Sequence, residues 1–578
     1  MPPIDEEKRH ALLIDDRSPS SEGSIWGETE DHFRRIRWAA MTKAYLGLVL
    51  RRVAIFLLPS FVHHRISPAR ERRSAGIGNS DNTNNNNNNN NNGSGSGSGG
   101  GGGSGSNTKT LSPTSYLDGM RGLAAFFVFF CHYFYTAFFI AEGYNWLPPP
   151  PADSDEPAPT TSRYTSLWRL PFVRLLYSGP SMVCVFFVIS GYALSLRPLQ
   201  LARRRQGEAF ARATSSLVFR RLFRLYLPPV LSTLGVALLL GAGAYEGSRA
   251  FVHDRRFVRN VAEHHPERLP TLPAQLAHWG REMWAFLHVW SWADHAGSTQ
   301  YDVHLWTIPL EFRCSMVLFL VLVGTARLRE NVRLAVVAAL AWFVLRCDRW
   351  EMLLFLAGMA IAELDLRRHA HGSRGTAAGS PSQQHQHHQH QHQHQHQPTL
   401  LLLPLDEKAD RASSAPERRS TEDSFWTAVS VFALYLLSCP DAGPSDVPGW
   451  RYLGTLIPDW FTEKYRFWQA IGACLFVFCA ARSRGWQRVF ELPAIQYLGH
   501  LSYAMYLMHG PVTHVLGFPV QRWAWGVTGT EGSAYKLGVA LAALINIPLV
   551  IWVSDIFWRA VDMPTVRFAK WLEAKLSV

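Results

Sequence analysis

The stretch SYLDGMRGLAAFFVFFCHYFY at residues 115–135 is apolar from Gly122 onward, yet it carries an arginine near its start and a histidine well inside. Arg121 and His132 are eleven residues apart. At about 100° per residue they return to within about 20° of one helix face, and the rise of about 1.5 Å per residue separates them by roughly 16 Å. In a bilayer whose hydrocarbon core is about 30 Å thick, Arg121 is expected at one interface and His132 about halfway across. Asp118, one turn before Arg121, shares their face. Two readings stand side by side. Arg121 anchors the helix by snorkelling while His132 makes one interhelical hydrogen bond, or the pair is functional, because an ionisable group inside a membrane is costly.

Outward from this helix the 578 residues fall into long apolar blocks separated by polar inserts, which dilute the chain-averaged hydropathy. The spacing predicts an all-α polytopic transmembrane bundle with about ten spans, near 123–142, 179–197, 226–244, 303–325, 331–347, 349–364, 425–439, 467–482, 495–517 and 534–558. A polar tail is read over 1–37. Residues 38–64 form an interfacial or extra membrane helix, interrupted by Arg51 and Arg52. A disordered Asn/Gly/Ser-rich linker fills 65–115. The membrane domain then occupies 116–366 with six spans and 424–560 with four. Between them lies a disordered His/Gln-rich insert at 367–423, and 561–578 form a cytosolic tail. The Gln383–Gln397 tract reads as repeat expansion and is assigned no metal chemistry.

The formal charge of +12 comes from arginines clustered beside apolar spans, so it speaks for topology rather than nucleic-acid binding. Arg203–Arg205, Arg220, Arg221 and Arg224, then Arg327, Arg329 and Arg333, then Arg482, Arg484 and Arg488 mark cytosolic loops, placing both termini in the cytosol. The seven cysteines show neither CxxC spacing nor a disulfide framework, and no metal site is read.

Two further spans carry polar groups. YDVHLWTIPLEFRCSMVLFLVLVG places Glu311 near the depth of His132, with His304 seven residues earlier. A carboxylate beside an imidazole fixes its tautomer and raises its basicity. The alternative is a hydrogen bond that only locks two helices together, and Arg313 one turn on could neutralise Glu311. QYLGHLSYAMYLMHGPVTHV contributes a stripe of Ser502, Tyr503, Tyr506 and His509, read either as an acceptor cavity lining or as an interfacial aromatic belt. Asp118, His304, Ser502, Tyr506 and His509 are the supporting or acceptor-binding candidates.

Six ordered blocks then resemble the membrane acyltransferase-3 family: YLDGMRGLAAFFVFFCHY with its R-x10-H spacing, FFVISGYALSL at 186–196, FRRLFRLYLPP at 219–229, HLWTIPLEF at 304–312, FLAGMAIAEL at 355–364 and LGHLSYAMYLMHGPV at 498–512. That family includes bacterial O-acetyltransferases of surface polysaccharides and macrolides, and many fungal members. The resemblance implies a helical core of about ten spans in which Arg121 and His132 are the centre of activity. It implies transfer of an acyl group, with acetyl expected, from acyl-CoA to a hydroxyl of a glycan, lipid or secondary metabolite. No bound cofactor is expected, and acyl-CoA is a co-substrate. On this reading Arg121, Arg220, Arg221 and Arg224 bind the donor phosphates, His132 is the base and Glu311 supports it. The partners are the bilayer, acyl-CoA and the hydroxyl acceptor, in the endoplasmic reticulum, Golgi or plasma membrane. A proton-coupled transporter or flippase is the competing reading, since a mid-membrane His-Glu pair also suits a proton relay.

Overall fold

The computed structural model describes residues 49, 51–62, 112–146, 164–290, 297–377 and 416–577. The Asn run, the Gln/His tract and the N-terminal tail lie outside the described residues. The chain divides into two units, residues 1–92 and 93–578. In the first, residues 51–57 are helical and largely exposed.

The second unit is helical, and among its described residues the only β pairing is two isolated bridges. Its principal helices are α1 (Ser115–Tyr135), α2 (Gly179–Arg203), α3 (Gly207–Gly241), α4 (Glu246–Val252), α5 (Leu272–Leu287), α6 (Thr307–Thr325), α7 (Glu330–Arg346), α8 (Trp350–Ala377), α9 (Pro416–Leu437), α10 (Lys464–Ala480), α11 (Arg484–Phe490), α12 (Pro493–Val512), α13 (Phe518–Thr528), α14 (Gly532–Phe557) and α15 (Met563–Leu576). Four described segments are long and apolar enough to cross a membrane: Gly179–Arg203, Gly207–Gly241, Val303–Thr325 and Gly532–Leu576.

Several boundaries differ from the sequence reading. Helix α1 stops at Tyr135 rather than continuing to 142, because Asn260, from a loop far along the chain, caps it. The Asn260 amide donates to the Tyr135 and Phe138 carbonyls at 2.8 and 2.9 Å, and its backbone N–H donates to Thr136 at 3.1 Å. Helices α8 and α9 extend into the ends of the 367–423 insert. The C-terminal tail is helix α15, joined to α14 through a π-helical turn at Trp558–Asp562 and packed against α3, with Phe568 edge-on to Phe223.

Helix α1 sits between two apolar cores. Leu117, Met120, Ala124 and Val128 join residues of α2, α8 and α10 in one, whereas Ala125, Phe129 and Tyr133 join residues of α12 and α14 in the other. The α1–α12 crossing is a backbone contact. A Cβ added to Gly122 would lie 2.2 Å from the Gly499 nitrogen, and one at Gly499 would lie 2.6 Å from the Asp118 carbonyl oxygen. Small residues permit such an approach between helices that lack a hydrophobic drive to associate in lipid. Because Gly122 meets Gly499 and His132 meets His509 further along, the two helices run in the same direction.

Prolines inside the long helices free carbonyls, and side chains from neighbouring helices take them up. Pro229 in α3 cannot donate to Leu225, whose oxygen accepts instead from the Tyr503 hydroxyl at 2.8 Å. Pro511 in α12 leaves Leu507 in the same position, and the Ser232 hydroxyl reaches it at 3.4 Å. These exchanges tie α3 to α12 beside the histidine-bearing turn.

Candidate active site at the two ends of helix α1

The first turn of α1 opens onto a cluster of arginines. Arg121 donates from Nε to Ser502 Oγ at 3.1 Å and pairs with Asp118 at 3.4 Å, while remaining about a third exposed. Helix α3 supplies the others. Arg221 pairs with Glu311 at 2.7 Å and donates to Ser315 Oγ at 3.0 Å; Ser190 donates to the same Glu311 oxygen at 3.0 Å. Arg220 pairs with Glu573 of α15 at 3.2 Å. Arg224 is exposed and forms no ion pair among the described residues, but the charges of Asp562, Arg221, Arg121 and Arg220 all act on it. Three guanidiniums are thus paired with carboxylates, whereas Arg224 has no such partner among the described residues.

The other end of α1 carries His132, and two more imidazoles close on it. His304 lies with its ring centroid 4.1 Å away, edge to face, and His509 lies 5.1 Å away; His304 and His509 are themselves 4.7 Å apart. His304 and His509 are fully buried and His132 is half-buried. His304 Nδ1 faces Asp302 Oδ1 at 2.9 Å, and its Nε2 faces Glu263 Oε1 at 2.6 Å. His509 Nδ1 donates back to the Met505 carbonyl at 3.1 Å. The Tyr506 hydroxyl bridges Thr307 Oγ1, at 2.7 Å, and the His304 carbonyl. Gly510 makes room for this arrangement, since a Cβ there would lie 3.0 Å from His304 Nδ1.

Glu263 comes from the loop between α4 and α5, yet only 4 % of it is exposed. Its second oxygen faces His514 Nε2 at 3.4 Å, on the π-helical turn Thr513–Gly517, and His514 Nδ1 lies 2.9 Å from His265 Nδ1. Burial opposes ionisation of Glu263, but the imidazoles of His304 and His514 outweigh it and hold the carboxyl well below the usual range. Burial, with His514 alongside, pushes the His265 ring down to about 4. A small cavity of about 10 Å³, bordered by Tyr245, Tyr301, Asp302, His304, Gly510 and His514, adjoins the imidazoles.

The structure therefore brings His132, His304, His509 and Tyr506 together at one end of α1, and Arg121, Asp118, Ser502, Arg220, Arg221 and Arg224 at the other. Glu311 belongs to the arginine end: its hydrogen bonds come from Arg221 and Ser190, and the carboxylates beside the imidazoles are Asp302 and Glu263. Tyr503 is occupied by the Leu225 carbonyl. Sequence reasoning missed Asp302, Glu263 and His514. Asp302 stands two residues before His304, a local signal that was available. Glu263 is followed directly by His264 and His265, an unusual run of titratable groups in a loop, but nothing local says that the loop enters the bundle.

With this geometry in view, the class is decided by comparison: the chain belongs to the acyltransferase-3 family, whose acyltransferase-domain profile matches residues 114–559. Three fungal proteins are similar to it along most of their length. O-acetyltransferase PaAT-1 of Phomopsis amygdali is 28% identical over 81% of this chain and 86% of its own. Acyltransferase R4 of Phoma sp. (strain ATCC 20986 / MF5453) is 27% identical over 81% of this chain and 97% of its own. Acyltransferase clz18 of Cochliobolus lunatus is 26% identical over 80% and 97%. No solved structure matches significantly. The chain is an acyltransferase enzyme, and its long apolar helices make it a membrane protein.

Proposed function

We propose that this enzyme transfers an acyl group, with acetyl expected, from acyl-CoA to a hydroxyl of a glycan, lipid or secondary metabolite. The observation that carries the reading is the bipolar construction of α1, with guanidiniums gathered at Arg121 and imidazoles at His132. CoA is a polyanion with a long flexible arm. Its phosphates are matched by Arg121 and Arg224, supported by Arg220 and Arg221. The roughly 16 Å from Arg121 to His132 along α1 is a span the pantetheine arm can cover. The donor thioester then lies at the imidazole end, where His132 takes the proton of the acceptor hydroxyl. The hydroxyl oxygen bonds to the acyl carbon, the carbon–sulfur bond breaks, and the proton ends on the departing thiolate as CoA thiol. Glu311 acts in this scheme by holding Arg221 in the donor mouth. The name of the Phomopsis relative, an O-acetyltransferase, supports both acetyl and an oxygen acceptor.

The topology belongs to the same proposal: about ten spans, both termini in the cytosol, and the arginine end of α1 facing the cytosolic CoA pool. The test is thiol release from acetyl-CoA by membranes containing the protein, in the presence of acceptor extract. Release should fall to background in His132→Ala that is inserted normally. Release at the wild-type rate in that variant, or substrate movement across the membrane without any thiol release, would overturn the proposal. Mass spectrometry of small molecules and glycans from cells with and without the protein would identify the acceptor as an acyl mass difference.

A further inference from the structure

At the imidazole end two buried ring nitrogens, His132 Nδ1 and His509 Nε2, have no hydrogen-bond partner, and beside them His304 Nε2 and Glu263 Oε1 meet each other as an ion pair at 2.6 Å. They belong to side chains that face one another. Each of the three histidines offers a ring nitrogen within 4.8 Å of the other two, and Glu263 adjoins the group through its ion pair with His304. Buried polar atoms are almost always satisfied, so two orphaned ring nitrogens packed against a third imidazole call for a common partner.

The opposite edges of the rings are already fixed. His304 Nδ1 is backed by the Asp302 carboxylate and His509 Nδ1 by the Met505 carbonyl. A ring nitrogen held by a carboxylate or carbonyl, with its other nitrogen turned inward, is the outer-shell pattern of a metal-bound histidine. Glu263 is likewise held from behind, by His514 at its second oxygen.

We propose that His132, His304, His509 and Glu263 form a binding site for a divalent transition-metal cation of the zinc type. Three imidazole nitrogens and one carboxylate oxygen are a borderline-soft donor set that suits zinc and disfavours magnesium or calcium. Ligand bonds of about 2.0–2.1 Å at tetrahedral angles need donors roughly 3.3 Å apart, so the three nitrogens close modestly around the ion while Glu263 and His304, 2.6 Å apart, open to admit it. The reading of no metal from sequence considered the cysteines and the polyhistidine tract, whereas these three histidines come from three separate segments of the membrane domain. The use of the ion rests on the acyl-transfer proposal: it would bind the oxygen of the acceptor hydroxyl as a further ligand and take over from a free His132 the task of making that hydroxyl acidic.

The test uses full-length protein purified in detergent, with zinc and cobalt(II) as the probes. After zinc loading and exhaustive dialysis, elemental analysis should find about one zinc per chain. Cobalt(II) should give the visible absorption of a four- or five-coordinate N/O site. Glu263→Gln should lower zinc retention at least tenfold and His509→Ala should abolish the cobalt band, both at unchanged elution volume and helical circular dichroism; Cys347→Ser, at an exposed position, should change neither. Wild-type protein that elutes as a single folded species and retains neither metal overturns the site, whatever the variants do. Thiol release from acetyl-CoA reads the other proposal separately. A metal-free, active enzyme refutes the site alone, and a metal-bound protein without transfer refutes the transferase mechanism alone.

Discussion

Around Arg121 the charged groups are partly solvent-exposed and come as opposite-signed partners, Arg221 with Glu311 and Arg220 with Glu573, leaving Arg224 over. Around the half-buried His132 the other groups are buried, two of them are the same ring, and their carboxylates arrive from a loop and from the residue before a helical turn. The arginine end works by charge, which acts at a distance and tolerates mobile side chains. The imidazole end works by position, since hydrogen bonds and coordination fail within about an ångström. The same helix therefore presents one end that should respond to screening and another that should respond to packing.

The largest expected effect comes from the imidazole end. His132→Ala should lower thiol release about 10²–10⁴-fold, the usual worth of a positioned acid-base group, with little change in melting temperature. A change in donor KM alone would erase the division of labour. Next is the crossing that holds both ends in register. Gly122→Ala puts a methyl against Gly499 backbone and should destabilise the protein by about 1–3 kcal/mol, measured as thermal unfolding in detergent, with transfer impaired as well. Unchanged stability would mean that α1 and α12 part easily. Arg224→Ala should raise the KM for acetyl-CoA about tenfold while leaving kcat close to wild type, because it removes a charge-assisted contact made equally in the bound and reacting states. A fall in kcat instead would place Arg224 in the chemistry. The smallest effect is that of salt. Raising ionic strength from about 0.05 to 0.5 M should weaken donor KM by a few-fold through screening and leave the Arg224→Ala variant less affected.

Much of the arginine end was legible. Arg220, Arg221 and Arg224 are spaced on neighbouring turns of one apolar helix, and their placement beside a membrane segment is a local pattern. Glu311 was legible as a buried carboxylate but not as the partner of Arg221, because the two are 90 residues apart in sequence. Ser502 and His509 share a helix face and were read as one stripe. The structure divides them between the two ends, because α12 runs alongside α1 for its whole length. Glu263 was not legible at all. It lies in a polar loop whose composition predicts solvent, and it is buried because two histidines from other segments, His304 and His514, compensate its charge.

The sequence by itself determined the helical membrane class, the acyltransferase resemblance, and the shared face of Arg121 and His132, since helical periodicity depends only on neighbours along the chain. Only the tertiary structure decided which groups meet each of them. Those partners are set by how α1 packs on α12 and α2 and how α3 and α6 pack on α2, and packing depends on glycine crossings, proline-freed carbonyls and a loop capping a helix end. These are contacts between residues distant in sequence, and no local rule contains them.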